Sequence, residues 1–550
     1  MKFITLIISL FLTLSLQAQT PVTKTPQKLA LQPKLIVGIV IDQMRYDYLA
    51  KYESKFSENG FKKLLKQGFD CKNANFNYAP TYTGPGHAAI YTGTTPAYNG
   101  IVANDWYVRS ARKTTYVTDD PTVQTVGSAS EVAGKMSPRN LLSSTIGDEL
   151  RLFSNMKSKV IAVALKDRAA ILPGGHLSNG SYWFDYGSGN FITSTYYRKD
   201  LPQWVIDFNA QRLADQYLSQ PWNTLLPISQ YTESTADDSP YEGLYKGETK
   251  PVFPHNLTAM YSKTDYGVLA STPFGNSITK DMALAALKAE NLGKGSSTDF
   301  LSISFSSTDY IGHKMGPQSI EVEDTYLRLD RDIAEIITFL EKNYGKAGFL
   351  LFLTADHGAA YVPQQLMDMN MNAGYFSTKV YADSLKYHLN KMYRDTSLVS
   401  HIINNQVYLD LPRVRQKGIN LKQLEDEIIS VSMSFPGVAD AYTAETLNGP
   451  TLNNKSAQLI QNGFFPRRSG DISLLLEPQW LDDYSRTGTS HGTTYHYDTH
   501  VPLLWYGWNI KQGNSADPVN ITDIAPTIAA FLNMMAPNAC TGKPIVAITK

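Results

Sequence analysis

Two cysteines in 550 residues, Cys71 and Cys540, exclude a fold stapled together by disulfides. Net charge is equally absent, because 50 Lys and Arg balance 50 Asp and Glu. No basic tract marks nucleic acid as a dedicated partner, and there is no acidic tail. Beyond the first residues, no apolar run approaches the twenty needed to cross a bilayer. Internal repeats and low-complexity tracts are missing too, which excludes a solenoid. What remains is an ordinary soluble composition: 43% apolar, 18% charged and 11% aromatic, with 33 tyrosines. The length allows a large core and more than one domain.

The start of the chain reads as an address. Lys2 precedes an apolar run over residues 3–16, followed by Gln17-Ala18-Gln19, so residues 1–19 are expected to be a secretory signal peptide. The mature protein is then expected to be periplasmic or secreted, off the membrane and monomeric. Export would permit a bridge between Cys71 and Cys540, but the two are expected to stay free.

Short apolar runs without alternation predict strands buried on both faces. They are LIVGIVI at Leu35–Ile41, KVIAVAL at 159–165, FLSISF at 300–305 and FLLFL at 349–353. Helical patterns are expected at 46–67, 141–153, near 204–218, and at 279–291, 320–343 and 524–532. The fold class predicted is α/β, with a largely parallel central sheet and helices on both faces. Its main domain spans 34–361 and 486–550, with loosened, aromatic-rich loops over 182–272. Residues 362–485 change character and are expected to form a small inserted α+β cap.

In parallel sheets, ligands bind beyond the carboxyl ends of the strands. Four predicted strands end in polar groups: Asp42, Lys166 with Arg168, Asp309 with His313, and Asp356 with His357. Asp and His are good zinc ligands, and Asp309 and His313 share one face if 310–313 is a helical turn. A sixth ligand is expected from 490–500, with His491 in a Ser-His-Gly turn preferred to His496. Between these lies PTYTGPGHAAIYTG, where Thr83 precedes a Gly-Pro-Gly turn and a helix expected to begin near His87. Such a start aims free N–H groups at an anion near the Thr83 hydroxyl. His87 is expected to support that loop.

Asp42, Thr83 in TGPGH, Asp309/His313, Asp356-His357-Gly358 and His491-Gly492 occur in the order seen in the alkaline phosphatase superfamily, which the chain resembles from about Leu35 to its end. Asn104 in VANDWY and Lys166-Asp167-Arg168 make it most similar to the exported, phosphate-irrepressible (PafA-type) alkaline phosphatases. The resemblance implies two Zn²⁺, one on Asp309, His313 and His491, the other on Asp42, Asp356 and His357. It also implies Thr83 as nucleophile, a phospho-threonine intermediate, and Asn104, Lys166 and Arg168 on the substrate. Charge arithmetic points the same way. Two Zn²⁺, three Asp and a Thr83 alkoxide sum to zero, so a monoester dianion needs the two further cations that Lys166 and Arg168 bring. The expected function is hydrolysis of small phosphate monoesters. Phosphodiesterase or nucleotide pyrophosphatase activity on the same metal framework is the alternative, whereas no C-x-P-x-R or S-x-P-x-R sulfatase signature occurs.

Overall fold

A computed structural model describes residues 32–482 and 485–549, so the expected signal peptide lies outside the described residues. Ten strands form the central sheet. In chain order they are β1 (Leu35–Ile41), β2 (Phe69–Cys71), β3 (Thr125–Val126), β4 (Val160–Ala164), β5 (Gly180–Asp185), β6 (Asn190–Ser194), β7 (Asp299–Phe305), β8 (Phe349–Thr354), β9 (Leu503–Gly507) and β10 (Gly513–Ser515). Their spatial order is β10-β2-β9-β8-β1-β7-β4-β5-β6-β3.

The central five, β8-β1-β7-β4-β5, run parallel. Every residue of β1, β4, β7 and β8 is buried, which is why these segments read as unbroken apolar runs. Beyond them, β9 and β6 join antiparallel. The sheet is thus parallel where the site lies and mixed at its margins.

Five helices accompany the parallel strands: α1 (Thr83–Thr92), α2 (Asp167–Gly174), α3 (Phe274–Ala289), α4 (Ser307–Met315) and α5 (Ile320–Tyr344). The last carries an apolar stripe of Leu327, Ile333, Ile336, Ile337 and Leu340 into the core. Its start is capped by the Ser319 side chain, which accepts from the Val322 N–H.

Several expectations change. The helix foreseen over 46–67 is three short pieces, Tyr48–Lys51, Glu53–Lys55 and Phe61–Gln67. The Asp330 carboxylate breaks it by accepting from the Ser57 and Phe61 N–H groups, which gives the backbone an alternative to helical bonding. The region expected to be loosened loops from 182 overlaps β5 and contains β6. Their aromatic residues, Tyr182, Trp183, Phe184 and Phe191, are buried core rather than loop surface. The helix foreseen near 204–218 is split at Arg212, which stands at φ 53° between Gln203–Ala210 and Leu213–Leu218. The helix after Tyr82 begins at Thr83, not His87. The Gly-Pro-Gly triplet is its first turn, where Pro85 lacks a donor that the helix does not need.

Residues 374–481 carry a second, four-stranded antiparallel sheet, in the order Val399–Ile403, Gln406–Leu409, Ile472–Leu476, Val438–Thr443. Helices Thr378–Tyr393 and Leu421–Met433 pack on it to form a separate hydrophobic cluster that includes Tyr381, Leu385, Leu424 and Ile428. Contacts nevertheless join Pro33 to the C-terminus as one compact unit. Cys71 is buried and Cys540 half-buried, and both are free.

Candidate active site

The carboxyl ends of β1, β4, β7 and β8 deliver Asp42, Lys166, Asp309 and Asp356 to one edge of the sheet. Asp309 and His313 lie one turn apart on α4, with His313 Nε2 3.1 Å from Asp309 Oδ1. His491 Nε2 reaches the same oxygen at 3.6 Å. On the other side, His357 Nε2 is 3.3 Å from Asp42 Oδ1 and 3.7 Å from Asp356 Oδ1. Two groups of donor atoms close to within 4.8 Å: Asp309, His313 and His491, and Asp42, Asp309 and His357. The second differs from the implied set by having Asp309 between the two halves, with Asp356 flanking His357. His496 is not in either group; its ring lies tilted against His500, 4.5 Å between centroids.

The chemistry of this donor set fits metal ions. Each histidine places Nδ1 against a backbone carbonyl: His313 on Thr489 at 2.8 Å, His491 on Thr81 at 2.7 Å and His357 on Gly358 at 3.0 Å. Only an N–H can satisfy a carbonyl there, so each ring, in its neutral form, turns an Nε2 lone pair toward the carboxylates. Asp42 Oδ1, Asp356 Oδ2 and His357 Nε2 are buried without a hydrogen-bond partner. Buried polar atoms left open in this way fit a bound cation.

Electrostatics follow from the same crowding. Burial and Asp309 push the Asp42 carboxyl up, but Lys166 and His357 outweigh them and hold it below the usual range. Asp309 is also held low, against burial, by His313 and Lys166. Burial and the Asp42 charge raise Asp356. Burial together with His357 and His313 drives His491 far down, keeping it neutral and able to ligate.

Lys166 and Arg168 part company. Lys166 Nζ donates to Asp42 Oδ2 at 2.6 Å and to Asp309 Oδ2 at 2.5 Å, bridging the two halves of the cluster. Arg168, in the first turn of α2, donates to the Tyr116 hydroxyl at 2.9 Å, and that hydroxyl donates in turn to Asp167. Thr83 opens α1, which packs against α2. The Asn104 Oδ1 accepts from the Gly84 N–H at 2.8 Å, so Asn104 stands beside the Thr83 end of the helix. His87 Nδ1 lies 2.9 Å from the Thr83 carbonyl and 3.3 Å from Asp356 Oδ2, while Nε2 meets Ser304 Oγ at 2.8 Å. It pins the first turn of α1 to β7 and to Asp356.

Gln43 is a participant that the sequence reading passed over. Its Nε2 donates to Asp309 Oδ1 at 2.8 Å and its N–H to Asp356 Oδ1 at 3.2 Å, with φ at 62°. A polar residue directly after a strand-ending Asp was the available signal. Tyr116, which positions Arg168, sits in no motif, and Asp167, which accepts from the Tyr116 hydroxyl, is the middle residue of the Lys-Asp-Arg triplet. A cleft of about 450 Å³ opens over His313 and His491, walled by Tyr82, Asn104, Trp480 and the Asn404-Asn405 turn of the second sheet.

The family described as "Type I phosphodiesterase / nucleotide pyrophosphatase" matches residues 36–500. A protein from Myroides odoratus named calcium-transporting ATPase is 45% identical, covering 94% of each chain. Alkaline phosphatase PhoV of Synechococcus elongatus is 44% identical over 97% of this chain and 96% of its own. Alkaline phosphatase PafA of Elizabethkingia meningoseptica is 43% identical over 94% of both. A crystal structure of PafA superposes with TM-score 0.92 at 42% identity, covering 95% of this chain and all of that one. A solved PafA variant has a threonine, an asparagine, a lysine and an arginine replaced together, and matches with TM-score 0.91 over 94% of this chain and 99% of its own. The chain belongs to the type I phosphodiesterase / nucleotide pyrophosphatase family and is an enzyme of its alkaline phosphatase branch.

Proposed function

We propose that this enzyme is an exported two-zinc phosphatase that hydrolyses small phosphate monoesters through phospho-Thr83. The observation that carries the monoester reading is the pair Lys166 and Arg168 at the start of α2, which packs against α1, with Lys166 between the Asp42 and Asp309 carboxylates. Asp309, His313 and His491 would hold one zinc, and Asp42, Asp356 and His357 the other, with Asp309 close to both. When bound, the ions supply Lewis acidity to the attacking and leaving oxygens.

The chain's own residues do the rest. Thr83 Oγ1 attacks phosphorus from the start of α1, forming a new P–O bond as the ester bond breaks and the departing alkoxide is protonated. Water then cleaves phospho-Thr83 and releases inorganic phosphate. Arg168, kept oriented by Tyr116, offers its planar fork to the non-bridging oxygens, and Asn104 adds an amide donor. Lys166 balances Asp42 and Asp309, so a dianion entering the site meets compensated rather than open negative charge. The residue types and spacing of Thr83, Asn104, Lys166 and Arg168 match the four positions replaced together in the solved PafA variant.

The same reading includes removal of residues 1–19, a monomeric mature chain, and a cap over 362–485 whose turn at Asn404-Asn405 walls the leaving-group side of the cleft. Among the described residues no helix is long and apolar enough to cross a membrane. Rates on a matched phosphate monoester and diester test the proposal, measured for the wild type and for Lys166→Ala and Arg168→Ala. Larger losses are expected on the monoester. Larger losses on the diester would establish the phosphodiesterase alternative.

A further inference from the structure

The cleft over His313 and His491 has a one-sided charge lining. Asp105 and Asp482 stand in its wall, and among the described residues that line it none is a lysine or an arginine. Asp105 opens the strand Asp105–Val108, which pairs antiparallel with Lys113–Tyr116. Its backbone carbonyl accepts from Asn404 Nδ2 at 2.7 Å, so the turn of the second sheet fixes where it stands. Its carboxylate is half-buried and, among the described residues, makes no hydrogen bond or ion pair.

That carboxylate is charged at a cost. Burial pushes it up, Arg168 pulls it down, and Asp167 adds to the rise. Arg168 is committed elsewhere, on the Tyr116 hydroxyl. Asp482 accepts from the Thr378 hydroxyl at 2.5 Å, a neutral donor. Asn405 Oδ1 and Trp480 Nε1, also at the cleft, are buried without a hydrogen-bond partner. The first adds an acceptor and the second a single donor, so acceptors prevail. The Tyr82 ring, 5.6 Å from that of His491, adds an aromatic wall.

On the monoesterase reading, the charges at the reaction centre already cancel. Two Zn²⁺ meet three Asp and the Thr83 alkoxide, and Lys166 with Arg168 meets the phosphoryl dianion. Asp105 and Asp482 are left over, in the cleft that receives the ester group. A neutral group leaves them uncompensated, an anionic one is repelled, and a cationic one is attracted.

We propose that the preferred substrates are phosphate monoesters of amino alcohols, whose positively charged nitrogen sits against Asp105 in this cleft. The proposal rests on the monoesterase reading above. A carboxylate beside an aromatic ring suits primary and quaternary ammonium alike. Hydrolysis yields the amino alcohol and inorganic phosphate, with water supplying the hydrogen of one and the hydroxyl of the other.

The test compares choline phosphate with 3,3-dimethylbutyl phosphate, which has the same shape without the charge, on zinc-loaded full-length enzyme. The nitrogen also makes choline the better leaving group, so the decisive quantity is how the ratio of the two kcat/KM values changes with Asp105. That inductive effect is the same in wild type and variant, and it cancels. Asp105→Asn should lower the ratio about tenfold, and Asp105→Glu, which keeps the charge, should restore part of it. A ratio within about twofold of wild type in Asp105→Asn would overturn the proposal. An equal loss on glycerol 1-phosphate would overturn it too, by showing that Asp105 binds a hydroxyl. In the wild type alone, choline should inhibit at concentrations at least about threefold lower than 3,3-dimethylbutanol; equal inhibition would count against the proposal. Hydrolysis of neither ester would overturn the monoesterase reading and this proposal with it, whereas hydrolysis of both with no role for Asp105 removes this proposal alone.

Discussion

A single methyl group at Gly86 tests how closely the helix that begins at Thr83 and the Asp356-His357 turn are coupled. Gly86 lies in the first turn of α1, three residues after Thr83, and its missing side chain faces the Asp356 backbone. A Cβ placed there would stand 2.4 Å from the Asp356 carbonyl oxygen and 2.7 Å from its Cβ. Relief to ordinary contact requires the two backbones to separate by roughly 1 Å. Asp356 cannot retreat, because Ala355, His357 and all of β8 behind it are buried. Helix α1 therefore moves, carrying Thr83 away from the carboxylates. A displacement of about 1 Å in a reacting atom costs about 100-fold in rate, or about 2.7 kcal/mol of barrier, and the strain itself about 1–3 kcal/mol of stability. The assay is kcat/KM of Gly86→Ala on a phosphate monoester with zinc content measured in the same samples. Gly295→Ala serves as control, since a Cβ there meets nothing within 4 Å. A Gly86→Ala enzyme with full zinc and kcat/KM within about threefold of wild type would refute the reasoning.

Replacing Thr83 by Ala removes the proposed attacking oxygen and should abolish both turnover and the phosphoryl mass adduct of acid-quenched protein, whereas Thr83→Ser should keep both measurable. Phe352 is fully buried, 6.1 Å from the Tyr91 ring and 5.6 Å from the Trp505 ring; Phe352→Ala should cost about 3–5 kcal/mol in denaturant unfolding. Burial, aided by Asp471, Glu445 and Asp426, pushes the Glu425 carboxyl up to about 7. A carboxyl raised on folding contributes stability that is complete below its unfolded value, near 4.5, and is lost as pH rises through 7. Glu425→Gln should consequently raise Tm at pH 8, with the gain shrinking as pH falls from 7 toward 4.5; a gain independent of pH would contradict this assignment.

The parallel core was legible because strands buried on both faces must be apolar throughout, and Leu35–Ile41, 159–165, 300–305 and 349–353 all stand in the sheet. The strand-ending polar residues were legible for the complementary reason: an Asp after seven buried apolar residues needs a partner beyond the sheet. Burial hid β5 and β6, whose aromatic residues resemble exposed loop composition when neighbours are unknown. Side-chain interference hid the broken helix at 48–67, since Asp330 arrives from far along the chain. Lys166 shows the limit most clearly. Its position in Lys-Asp-Arg suggested a partner for Arg168 on the substrate, and only the register of β4 against β7 reveals that its ammonium lands between Asp42 and Asp309.

The route of the chain through the site has a consequence for biosynthesis. The first candidate ligand, Asp42, emerges early, while His491 arrives after 490 residues and just ahead of β9, which pairs with β8 on one side and β2 on the other. Contacts of such sequence separation form late, because a long loop must close before they are rewarded. A nascent or truncated chain ending before the turn at His491 has, at best, half a metal centre.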